Sequence, residues 1–207
     1  MHLDELIARP GLPPRLRLLA LAIVAVWRGD WDALQQAVRA GRGLAMQRAD
    51  FEETLLQAVL FCGFPRAVTA FETLAAHWPA EHPPAGGALG AAEQAAAGQA
   101  LFAAIYGRNE AAVRAMLLGH HRDFHDFVLE VAYGRVLSRP WLTGRERELL
   151  GTAALAASDQ LRQFAGHARG ALHLGATRQE LREVLVTVFG EVPQVDAWLQ
   201  RVPAEKE

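Results

Sequence analysis

Shifted by 130 positions, this chain lies over itself without a gap. The segment RLLALAIVAVWRGDWDALQQAVRAGRGLAMQRADFEETLLQ falls on RELLGTAALAASDQLRQFAGHARGALHLGATRQELREVLVT. Arg17 meets Arg147, Leu19 meets Leu149, Arg39 meets Arg169 and Leu44 meets Leu174. Arg48 meets Arg178, Glu53 meets Glu183 and Leu55 meets Leu185. The apolar pattern agrees more widely than these identities. Similarity at one fixed spacing is the mark of a supersecondary unit used twice, and it constrains the fold more than any other feature of the chain.

Each unit reads as helices. In the second copy Leu149, Leu150, Ala153, Ala154 and Ala157 recur at helical spacing. Ser158 and Asp159 interrupt, and a second helix starts near Gln160 with Leu161, Phe164, Ala168 and Leu172 on one stripe. Gly175 is placed to end it. Thr177 with Glu180 three residues on forms a capping box for a third helix carrying Leu181, Val184, Leu185 and Val188. The first copy repeats this order up to a break at Gly63 and Pro65. A further turn is expected at 107–109. No segment alternates with a period of two, so the expected fold is all-α with about ten helices. The proline- and glycine-rich stretch 78–90 reads as a linker between a first unit, 1–77, and a second, 91–207.

Composition removes several classes of function. A net charge of −2 and a pI near 6.5 offer no basic surface for nucleic acid. One cysteine, Cys62, closes no intrachain disulfide and excludes CxxC chemistry. The start MHLDELIARPG has no basic-then-apolar pattern of a secretory signal. The apolar run from Leu18 to Trp27 is shorter than the roughly 20 residues a bilayer needs. The expectation is a cytoplasmic protein that engages no membrane.

The chemistry-bearing pair is Glu148 and His167. Each lies a similar distance from the turn at 158–159, so in an antiparallel hairpin the two stand at equal height and can face each other. A carboxylate beside an imidazole raises its pKa and fixes its tautomer, which is how a general acid/base is commonly assembled. The bland alternative is a solvated glutamate near a helix start and a hydrogen-bonded core histidine. The first copy has Leu18 and Ala37 at these positions, so only the second copy carries the pair. Arg169, matched by Arg39, is common to both copies, which suits a structural part between helix ends or copies.

At these residues the sequence resembles the carboxymuconolactone decarboxylase family and its alkylhydroperoxidase D-like relatives. FHDFVLEVAYGRVLSRPWLTGRERELLGTAALAA (124–157), QLRQFAGHARGALHLGATRQELREVLV (160–186) and ETLLQAVLFCGFPRAVTAF (53–71) carry the resemblance, and together with their order they cover most of the chain. The resemblance implies an all-α, alkylhydroperoxidase D-like bundle with two related helical units in one chain, and a homo-oligomer. The alkylhydroperoxidase branch pairs a Glu with a C-x-x-C-x-x-x-H stretch. Here Glu148 and His167 match the Glu and the His, while Gln160 and Gln163 stand at the thiol positions. An amide is no redox thiol, so the resemblance points to the decarboxylase branch: acid/base chemistry on a small carboxylate or lactone, without cofactor or metal. Glu148 and His167 would be catalytic, and Arg135, Arg139 or Arg169 would grip a substrate carboxylate.

Two rivals remain at this level. Cys62, in LFCGFP, would serve peroxide reduction by a lone thiol, or is a small apolar residue of a core helix. A non-catalytic oligomeric binding protein would keep the fold alone. His121 and His125, spaced i, i+4 within HHRDFHD, have the spacing of a metal pair but lack an evident third ligand. Trp27, Trp31, Trp141 and Trp198 read as core or interface anchors.

Overall fold

The computed structural model describes residues 2–81, 89–190 and 192–202; of the linker expected at 78–90, residues 82–88 lie outside this description. Every regular element among the described residues is helical. The α-helices are α1 (Leu3–Ala8), α2 (Pro14–Arg28), α3 (Trp31–Gly43), α4 (Arg48–His77), α5 (Ala91–Tyr106), α6 (Glu110–His120), α7 (Arg122–Phe127), α8 (Gly144–Ala157), α9 (Leu161–His173), α10 (Arg178–Phe189) and α11 (Val192–Leu199). A 3₁₀ turn spans Gly107–Asn109, and α7 runs on into a π-helical stretch, Val128–Leu137.

The expected punctuation has local causes. Thr177 accepts from the Glu180 amide and Glu180 reaches back to the Thr177 amide, closing the capping box of α10. Thr143 and Glu146 do the same for α8. Gly63 breaks the helical backbone (φ 74°, ψ 176°), but the helix resumes through Pro65, so the break foreseen there is a kink inside α4 rather than an end. Among the described residues α4 is long and apolar enough to cross a membrane by length and composition alone, a feature the run at Leu18–Trp27 did not reveal. Here much of its N-terminal half, including Phe51, Leu55 and Ala58, lies in the core.

The duplication is a physical one. Helices α2, α3 and the start of α4 correspond at the same 130-residue offset to α8, α9 and α10. The backbone turns left-handed at Gly29 (φ 70°) and again at Asp159 (φ 57°), then at Ala45 (φ 54°) and again at Gly175 (φ 89°). At both pairs the conformation is kept although only one member is glycine. The two copies do not have separate cores. Leu18, Ile23 and Val26 of α2 share one apolar cluster with Leu149, Leu150 and Ala153 of α8 and Leu181 and Leu185 of α10. The units 1–77 and 91–207 therefore form one body around a shared interior.

Each copy lends an arginine to the other copy's glutamate. Arg17 Nη2 lies 3.0 Å from Glu183 Oε2, and Arg9 holds the same carboxylate through Nε at 2.6 Å and Nη2 at 3.0 Å. Arg147 Nη2 lies 2.7 Å from Glu53 Oε2, and Arg139 holds that carboxylate through Nε at 2.8 Å and Nη2 at 2.6 Å. Arg17 also donates to the Arg9 carbonyl, and Arg147 to the Arg139 carbonyl, both at 3.0 Å. The pattern is the same network drawn twice with the copies exchanged. Arg17, Arg147 and Glu183 are almost wholly buried, so these charges persist only because each is paired and hydrogen-bonded.

At the 130-residue offset the segment 91–130 has no counterpart in the first copy, whereas 133–137 falls on α1. A second apolar cluster joins Phe102 and Ile105 of α5, Leu117 of α6 and Leu129, Tyr133 and Leu137 of the π-helical stretch. Its backbones touch at two glycines: a Cβ at Gly98 would stand 2.7 Å from both Cα and N of Gly134. Backbone cannot yield as a flexible side chain can. Gly98→Ala is therefore expected to cost about 1–3 kcal/mol, read as a lowered urea midpoint, whereas Gly43→Ala, which meets no neighbouring atom within 4 Å, serves as the control.

Candidate active site

Helices α8 and α9 form the hairpin foreseen from the turn at 158–159, and Glu148 and His167 meet across it. Glu148 Oε2 lies 3.0 Å from His167 Nδ1. The glutamate is not on a solvated face: it is 1% exposed, while the imidazole keeps 19% of its side chain accessible. A carboxylate only accepts, so Nδ1 carries the proton and Nε2 is left as the exchanging nitrogen. Gly170 makes room for the pair, since a Cβ there would lie 2.7 Å from Glu148 Oε2.

Burial pulls the His167 pKa down, but the charge of Glu148 and its hydrogen bond outweigh that and hold the imidazole above its ordinary value. A raised folded-state pKa adds stability that is complete below the unfolded value, about 6.5, and is lost as pH rises through the folded value. The stability advantage of wild type over His167→Gln is thus expected to shrink as pH is raised from about 6. Paired thermal-unfolding series across pH check this, and an advantage that grew would contradict it.

The surroundings come from three directions. Phe61 of α4 and His167 both face Gly151, each with an atom 3.5 Å from where a Cβ would sit, so the first copy contributes a wall to the second copy's pair. Ile105 of α5 approaches the same point at Gly170 as Glu148 does. Tyr133 donates to Tyr106 at 3.0 Å, and the negative charge of Glu148 reaches both phenols. Neither tyrosine was singled out in the sequence; they are 27 residues apart and share no motif.

The three arginines expected to bind carboxylate do not converge on the pair. Arg139 is committed to Glu53, which takes its Nε–Nη2 edge in a side-on grip. Arg135 is exposed on the π-helical stretch. Arg169 is half-buried, and two residues along α9 turn it about 200° from His167. The inter-copy structural part suggested for Arg169 and Arg39 is taken by Arg17 and Arg147 instead. A cleft of about 240 Å³ lies by Ala97, Leu101, Arg139 and Gly144, with neither Glu148 nor His167 in its lining.

Cys62 is half-buried, with its Sγ 2.9 Å from the Ala58 carbonyl oxygen, and burial pushes its thiol pKa up. This disfavours the thiolate a peroxide would need. His121 caps the Asp123 amide, and His125 pairs with Asp126; no group of three metal-ligating side chains forms among the described residues.

The carboxymuconolactone decarboxylase family profile matches residues 1–76 and 122–196. The chain belongs to the carboxymuconolactone decarboxylase family. Both copies lie within the match, whereas α5 and α6 lie outside it. The 4-carboxymuconolactone decarboxylase of Acinetobacter baylyi is 33% identical over 79 residues, covering 37% of this chain and 59% of that protein. Peroxisomal protein 2 of Schizosaccharomyces pombe is 29% identical over 132 residues, covering 62% of each. The chain thus spans about three fifths of the length of the curated relatives it matches.

Proposed function

We propose that this protein carries out general acid/base chemistry on a small carboxylate or lactone, of the decarboxylating kind, with Glu148 and His167 as its catalytic pair. The observation that carries the reading is the 3.0 Å contact between a buried carboxylate and a partly open imidazole. Family membership and the relative named as a decarboxylase support it. When carbon dioxide leaves a carboxylated unsaturated lactone, the electron pair of the broken C–C bond spreads through the double bond onto the lactone carbonyl oxygen. Protonation of carbon then completes the reaction. The His167 imidazolium, held charged by Glu148, is the acid for that step and recovers its proton from solvent.

No cofactor or metal takes part in this reading. A homo-oligomer belongs to it, because Phe64, Val68, Phe124 and Phe127 expose apolar surface on the single chain. So does a cytoplasmic location. Thiol-dependent peroxide reduction is the weaker reading, given the raised Cys62 and the glutamines at 160 and 163. The test is release of carbon dioxide from 4-carboxymuconolactone by the purified chain, with and without chelator. Turnover indifferent to chelator is expected, and an inert wild type ends the proposal.

A further inference from the structure

We propose that Tyr106 and Tyr133 form a hydroxyl arm of the same site, in which Tyr106 donates its proton in a hydrogen bond to the substrate oxygen that gains charge and Tyr133 positions Tyr106. The inference rests on the acid/base reading of Glu148 and His167. It adds a donor from α5, a segment the family match does not include.

These are the two tyrosines of the chain, and they meet. Tyr133 is 4% exposed and spends its proton on the Tyr106 oxygen. Tyr106 is half-buried, and among the described residues its own proton has no acceptor. A phenol that accepts one hydrogen bond and has an unspent proton is a polarised donor, which is what a developing oxyanion requires.

The pair is braced by ring and backbone contacts. Phe102 packs against both rings, tilted to Tyr106 with centroids 4.5 Å apart and edge-on to Tyr133 at 4.8 Å. Arg114 caps Phe102 from α6, its guanidinium carbon 4.7 Å from the ring centre. The backbone contact at Gly98 and Gly134 fixes α5 against the π-helical stretch directly beside Tyr133. Such π-helical insertions are frequent at functional sites.

Several groups tie the arm to the acid/base pair. His173 Nδ1 of α9 lies 3.0 Å from the Ile105 carbonyl oxygen, anchoring the residue before Tyr106. Ile105 and Glu148 Oε2 crowd the same point at Gly170. Burial and the Glu148 charge both push the phenols upward, so they stay protonated donors through neutral pH.

Two measurements on the full chain test this. With 4-carboxymuconolactone, Tyr106→Phe is expected to lower kcat about 10²-fold while KM moves less than about threefold. Tyr133→Phe is expected to lower kcat about tenfold, the loss of one supporting hydrogen bond. Unchanged kcat in Tyr106→Phe overturns the inference. The second measurement needs no turnover: with two tyrosines in the chain, alkaline tyrosinate absorbance reads this pair alone. Glu148→Gln should shift its first ionisation to lower pH, and Tyr133→Phe should shift that of Tyr106 to higher pH. Titrations unmoved by either change overturn the arm. A wild type inert toward the lactone ends the functional reading of the preceding section, and the inference is then judged by the titrations.

Discussion

Replacing Glu53 with alanine is expected to lower the stability of the chain by about 3–5 kcal/mol, the range for breaking a buried ion pair from one side. The reason lies in what is left behind. Arg147 is 1% exposed and would keep only neutral partners, the Arg139 carbonyl and Gln57. Arg139, with a partly open side chain, can turn to water, so the cost falls mainly on Arg147. Glu183→Ala should cost a comparable amount through Arg17, because the two networks are copies of each other. Replacing both members at once, Glu53→Leu with Arg147→Met, should recover much of the loss, since apolar residues need no partner. Urea unfolding of the three variants beside wild type decides it. A loss below about 1 kcal/mol in Glu53→Ala would place this carboxylate among ordinary surface ion pairs. Acid should act on the same clamp. Burial pushes the Glu53 pKa up, but hydrogen bonds from Arg139 and Arg147 bring it below the usual carboxylate value. Its contribution is therefore present above about pH 4.3 and is lost as pH falls through the lowered value.

His167→Gln is expected to reduce kcat on the lactone by about 10²–10⁴-fold, the usual worth of a positioned acid/base. Glutamine keeps a polar group near Glu148 but has no titrating proton to give to carbon. Glu148→Gln should have a smaller effect on kcat and move the alkaline limb of the pH–rate profile, where the imidazolium loses its proton, to lower pH. It removes the charge that holds the imidazolium, so the kinetic pKa should fall toward that of a free histidine. Circular dichroism on each variant separates loss of chemistry from loss of fold. Wild-type rates in His167→Gln would remove this residue from the reaction.

Much of this site was legible because it depends on short-range geometry. Equal spacing of Glu148 and His167 from one turn predicts equal height in a hairpin, and 3.0 Å is the result. The capping box at Thr177 and the end of α9 before Gly175 follow from rules confined to one helical turn. The expected arginines fared differently. Arg139 could be seen as a cation, but its partner lies 86 residues away on the other copy. No local pattern announces that a guanidinium is already occupied. Tyr106 and Tyr133 were missed for the same reason, since their hydrogen bond depends on how α5 crosses the π-helical stretch.

The amino-acid order by itself determined the all-α class, the repetition at a 130-residue offset and which copy can hold an acid/base pair, because periodicity, capping and residue type are properties of neighbours along the chain. Only the tertiary structure decided that the copies share one core and exchange arginines, and that α4 and α5 close around Glu148 and His167. Those outcomes depend on desolvation and on contacts between distant segments, which arise only when the whole chain is packed.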